Sequence, residues 1–148
     1  MHEFPPVEQL LPHRRPMIVV DRIVAADDRE LLSETQIDDS HPLFDAAACG
    51  LPGWAIIELM AQTVGLHGGL LAQRSNEPVR IGYLLGTRRL ELARPGAPAG
   101  STVRVNVRLE FLDPEGIGSY QCDAWVNGEV FASARVNVYR QRDGEIPE

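Results

Sequence analysis

Apolar and polar positions follow two different periods along this chain. After a proline-flanked opening, Met17–Ala26 (MIVVDRIVAA) is a β-branched run bounded by charged and turn residues. Asp27–Glu30 reads as a turn, and Leu31–Ile37 alternates well enough for a second strand. Asp38–Leu51 is a loop rich in Asp, Ala, Pro and Gly. From Val79 onward the pattern is β with turns between, over Arg80–Leu92, Thr102–Leu112, Ser119–Val126 and Val130–Tyr139. Breaks fall at Arg94–Ser101, at Asp113–Gly118 and at Asn127-Gly128, and the Asn-Gly pair is a strong signal for a two-residue hairpin. Only Gly53–Arg74 (GWAIIELMAQTVGLHGGLLAQR) is long enough for a full helix. Ile57, Met60, Ala61 and Val64 follow helical spacing, and the opposite side, with Ile56, Leu59, Thr63, Leu66 and Leu70, is also largely apolar.

A helix apolar on most faces must be buried on most faces. About six strands give a sheet with one apolar face, and the helix can lie across it. The helix still keeps an uncovered apolar flank, for which a second copy of the chain or a related one is the natural cover. The expectation is α+β: an antiparallel sheet wrapped around one central helix, a single domain over 1–148, working as a homodimer or heterodimer.

Composition narrows the function. A length of 148 residues is enough to bury roughly 70% of the surface the unfolded chain exposes, so no disulfide or structural metal is needed. The net charge is −7 and every formal positive charge is an arginine, which argues against general nucleic-acid binding. No basic amphipathic segment marks a membrane-surface protein, and polar residues interrupt the longest apolar run, Gly50–Ala72. The opening lacks a basic region followed by an apolar run, and Cys49 and Cys122 lie in unrelated contexts, so the cytoplasm is the expected compartment.

Glu58 is the most informative residue. It is the only formally charged side chain between Asp45 and Arg74, one and a half turns into an apolar helix. Charges in such surroundings are rarely buried unless paired or used; the plain alternative is an exposed stripe shared with Gln62 at i+4. Of the four histidines, His67 lies nine residues past Glu58 and so points to the opposite helix face, as a core residue would. His2 sits near the start of the sequence, and His13 fits a structural hydrogen bond at the first strand. His41 opens the loop that leads into the Glu58 helix, and Pro42 holds it extended; an ordinary loop histidine is the competing reading. Gly53, after Pro52, begins the helix, where a missing side chain lets a ligand approach backbone N–H groups and could polarise a carbonyl. Pro-Gly is also ordinary helix-start punctuation. Nothing nearby activates Cys49 as a nucleophile. No spacing matches a metal site or a phosphate loop.

Taken together, LLPHRRPMIVVDRI and PGWAIIELMAQTVG resemble the β-hydroxyacyl-acyl-carrier-protein dehydratases, which are dimeric hotdog-fold proteins. The resemblance covers most of the chain, weakening through GYLLGTRRLEL and WVNGEVFASARV. The PGW and HPLF wording is closer to the dehydratase-like proteins of aryl polyene clusters. It implies loss of water from a 3-hydroxyacyl thioester with no cofactor: a histidine takes the proton next to the carbonyl and a carboxylic acid protonates the departing hydroxyl, the two coming from opposite protomers. By position the carboxylate falls on Glu58 and the thioester-binding glycine on Gly53, with Trp54 beside it at the pocket entrance or dimer core. The histidine departs from the pattern: His41 stands about three residues too far upstream, and Phe44 occupies the strict position. Either a longer 45–51 loop returns His41 to the site, or the base is missing. The donor implied is an acyl carrier protein docking on arginines, with Arg88 and Arg89 as candidates and Arg80 and Arg14–Arg15 behind them. Two competing functions remain: a non-catalytic partner subunit, which the shifted histidine motivates, and an acyl thioesterase with Glu58 activating water.

Overall fold

The computed structural model describes residues 4–11, 17–76 and 82–140, the side chains of 82–84 and 140 aside. His2, His13, Arg14, Arg15 and Arg80 lie outside the described residues. In chain order the elements are α1 (Val7–Leu10), β1 (Arg22–Ala26), β2 (Glu30–Gln36), β3 (Gly50–Pro52), a 3-10 turn (Gly53–Ala55) running into α2 (Ile56–Arg74), then β4 (Gly82–Leu92), β5 (Gly96–Pro98), β6 (Thr102–Leu112), β7 (Ile117–Val126) and β8 (Glu129–Arg140). Six strands form one antiparallel sheet in the order β1-β2-β6-β7-β8-β4, and β3 and β5 form a separate two-stranded ribbon. This is the expected hotdog arrangement, with α2 as the filling.

Alternation builds the concave face. Val103, Val105 and Val107 of β6 point inward, as do Tyr120, Cys122, Ala124 and Val126 of β7 and Ala134, Val136 and Val138 of β8. They meet Ile56, Leu59, Met60, Val64, Leu66 and Leu70 of α2 in one cluster, and burying each large aliphatic side chain contributes roughly 1.5–3 kcal/mol. By length and composition α2 would suit a membrane span, yet 67% of its most apolar window is buried inside this protein. The β7–β8 turn is the expected hairpin: Asn127 and Gly128 both have positive φ, 49° and 85°.

The first strand differs from the expectation. Its ladder starts at Arg22, because Ile18–Val20 turn into the core beneath α2 and are held there by side chains. Also unexpected is the β3–β5 ribbon, where backbones touch. A Cβ on Gly50 would collide with the Ala97 carbonyl, one on Gly96 with the Leu51 carbonyl, and one on Gly53 would stand 2.7 Å from the Pro95 carbonyl. The ribbon thereby fixes the start of α2 against the loop after β4.

Candidate active site

Glu58 lies in the first turn of α2 and is exposed, with no hydrogen bond or ion pair among the described residues. Around it runs the least covered stripe of the helix, with Trp54 at 67% exposure and Ile57 and Ala61 half-buried. Gln62, one turn on, does not share that exposure: it is 3% exposed and its amide is hydrogen-bonded at both ends. Its Oε1 accepts the Val19 N–H at 2.8 Å and its Nε2 donates to the Met17 carbonyl at 2.7 Å.

The loop Asp38–Gly50 folds His41 inward until it is 8% exposed. Its backbone N–H donates to the Asp38 carbonyl and its own carbonyl accepts from Phe44, closing two tight turns. The Asp38 carboxylate accepts bonds from the Ser40 hydroxyl and amide, and these, with the nearby His41, hold it below the usual aspartate range. The His41 ring is oriented at both nitrogens. Nδ1 accepts the Leu43 N–H at 3.1 Å, so Nε2 carries the proton and donates to the Val19 carbonyl at 2.8 Å. His41 and Gln62 thus bind the two ends of one residue, Val19, which links the His41 loop to the buried face of α2. Phe44, at the strict spacing, is half-buried and packs against the core.

Gly53 is buried and its N–H donates to the Pro95 carbonyl at 2.8 Å, unlike the open amide expected of it. Its missing Cβ is needed for that close approach. The next amide, that of Trp54, belongs to the leading N–H groups for which a helix supplies no acceptor. His67 is fully buried on the far side of α2; Nδ1 bonds the Tyr120 hydroxyl at 2.9 Å, Nε2 bonds the Asp27 carbonyl at 3.1 Å, and the two rings meet edge to face. Cys122 is buried on β7, and burial pushes its thiol up to about 12, whereas Cys49 is exposed. Arg88 and Arg89 are exposed on β4, an edge strand, where Arg89 has φ 55° within a bulge. The same strand exposes Leu85, Leu90 and Leu92.

Sequence reasoning missed Gln62 as a buried residue. The available signal was its polarity inside an apolar helix, because a buried amide must find backbone or side-chain partners.

Comparison with known proteins supplies the chemistry. The family model described as ApeP-like, ApeP dehydratase, matches residues 5–146. A 3-hydroxyacyl-[acyl-carrier-protein] dehydratase FabZ of Deinococcus radiodurans is 33% identical over 135 residues, 88% of each chain. The FabZ of Thermus thermophilus is 30% identical over 136 residues, covering 90% of this chain and 93% of the relative. Among solved structures, the dehydratase heterocomplex ApeI:P from Xenorhabdus doucetiae superposes with TM-score 0.88 at 27% identity, over 95% of this chain and 94% of that one. A hypothetical thioesterase from Streptococcus pneumoniae superposes at 0.64 with 12% identity, over 81% of this chain and 84% of that one, which is a likeness of fold alone.

Proposed function

The chain belongs to the ApeP-like dehydratase family, and we propose that it removes water from a 3-hydroxyacyl group carried on acyl carrier protein, in aryl polyene or related fatty-acid-like synthesis. The observation that carries the site assignment is the pair of bonds on Val19. They hold the His41 ring in one buried orientation, tied through Val19 to Gln62 of α2, although its sequence spacing is irregular. With Nε2–H committed to the Val19 carbonyl, the basic atom of the ring is Nδ1.

His41 takes the proton from the carbon next to the thioester carbonyl on Nδ1, displacing the Leu43 N–H contact. The electron pair forms the carbon–carbon double bond as the bond to the 3-oxygen breaks. The Glu58 carboxyl gives its proton to the departing oxygen, and the products are water and a 2-enoyl thioester. Transfer of the His41 proton back to Glu58 through water resets the site. The Trp54 amide at the helix start receives the thioester oxygen, while Gly53 holds that turn against Pro95. The exposed stripe beside Glu58 and the apolar edge of β4 call for a dimer, in which Trp54 packs near the shared entrance and the paired histidine and carboxyl come from opposite protomers. The carrier docks on Arg88 and Arg89. The two unpaired thiols fit a reducing cytoplasm.

A second reading rests on the same ring. Both His41 nitrogens and the Gly53 amide are hydrogen-bonded within the chain, as they would be in a subunit whose role is to complete a related chain's site.

The test is incubation of the purified protein with a 3-hydroxyacyl-loaded carrier, followed by intact mass, with thiol release measured in the same tube. Water loss by the chain alone supports the proposal. Water loss only beside a related hotdog chain supports the partner-subunit reading, and free thiol would support a thioesterase.

A further inference from the structure

We infer that Gln62 is the positioning residue for His41, acting through the backbone of Val19; the inference deepens the proposed role of His41 and rests on it. Three observations converge. Ile18–Val20 lie outside the strand ladders, and both peptide groups of Val19 are held by side chains, its N–H by Gln62 and its carbonyl by His41. The Gln62 amide is polar in one sense only, since Oε1 must face the Val19 donor and Nε2 the Met17 acceptor, so the side chain clamps the segment across three residues. Finally, Gln62 is buried on α2, the most enclosed element of the fold, so the carbonyl that orients the His41 ring is referenced to the same helix that carries Glu58. The base is therefore anchored to the central helix of its own protomer, although His41 itself sits on a loop.

Without the clamp the Val19 carbonyl is free to drift and the Nε2–H loses its fixed acceptor. A basic atom displaced by about an ångström costs roughly tenfold or more in the proton-transfer step, and binding is little affected. The experiment compares wild type, Gln62→Met and Gln62→Glu by NMR of the His41 ring N–H and by kinetics on the carrier-borne substrate. Gln62→Met has similar length and neither hydrogen bond; Gln62→Glu keeps an acceptor for the Val19 N–H. In wild type the Nε2 proton is expected as a slowly exchanging resonance. Gln62→Met should lose that resonance, with kcat down roughly tenfold and KM little changed, while Gln62→Glu should retain it. Retention of the resonance in folded Gln62→Met, or its loss in folded Gln62→Glu, would overturn the inference. Loss of the resonance in Gln62→Met with water loss at the wild-type rate would uphold Gln62 as the positioner and refute His41 as the base.

Discussion

Gly53 donates its backbone N–H to the Pro95 carbonyl at 2.8 Å, and that bond ties the first turn of the central helix to the loop after β4. The contact makes Gly53 a residue of close approach. An added methyl would lie 2.7 Å from the Pro95 oxygen and 3.1 Å from the Leu92 side chain. Gly53→Ala is therefore expected to lower unfolding stability by about 1–3 kcal/mol. Gly86→Ala, with nothing within 4 Å of the new atom, should be neutral to slightly stabilising. Chemical denaturation of the two variants checks the contrast, and equal losses would count against it.

The His67–Tyr120 contact is structural. Tyr120→Phe removes the hydroxyl bonded to Nδ1 and should cost about 1 kcal/mol in stability. Because His67 faces away from Glu58, the rate of water loss should not change. A large fall in kcat at unchanged stability would move His67 into the active site.

The two cysteines should react differently. Cys49 is exposed and should be labelled rapidly by a thiol reagent in the native protein; Cys122, buried and held protonated up to about 12, should react only after unfolding. The linkage has a definite sign. The folded value lies above the thiol's ordinary value of 9.0, so this thiol leaves stability flat below pH 9. Between pH 9 and about 12 the unfolded chain loses the proton that the folded one keeps, and stability falls across that window. Denaturation midpoints of wild type and Cys122→Ala between pH 8 and 11 should converge as pH rises.

The limits of the sequence pattern have physical causes. β6 is observed at Thr102–Leu112, as its alternation predicts, because one face meets the core along its inner half and turns bound both ends. The central helix is legible for its length, and the Asn127-Gly128 hairpin for its two positive φ angles. The β3–β5 ribbon has only three residues per strand and contains two prolines, so no alternation can announce it. What makes it is the absence of side chains at Gly50 and Gly96, a reason visible only when the backbones meet. Met17–Val20 carries a strand's composition, yet its partners are the side chains of Gln62 and His41, contacts across 43 and 22 residues that no local period encodes. Glu58 stood out as a lone charge in an apolar helix; Gln62 beside it did not, because an amide reads equally well on a wet surface.

Arg88 and Arg89 should matter for the carrier and not for the chemistry. Both are exposed on the edge strand of a chain with net charge −7, where they make a local positive spot. Arg88→Glu with Arg89→Glu is expected to raise KM about fivefold or more for the carrier-borne substrate, most strongly at low salt. The same acyl group on a pantetheine fragment should be turned over unchanged. Equal losses on both substrates would contradict carrier docking at this strand.

In the proposed mechanism one site combines His41 of one protomer with Glu58 of the other. The most direct test mixes two single variants, His41→Ala and Glu58→Gln, after unfolding and refolding them together, and measures water loss from a 3-hydroxyacyl-loaded carrier. Each variant alone should be inactive. Random pairing puts half the chains in mixed dimers with one intact site of two, so activity should return to about a quarter of wild type. A mixture as inactive as its components, or either variant active alone, would contradict a shared His41–Glu58 site.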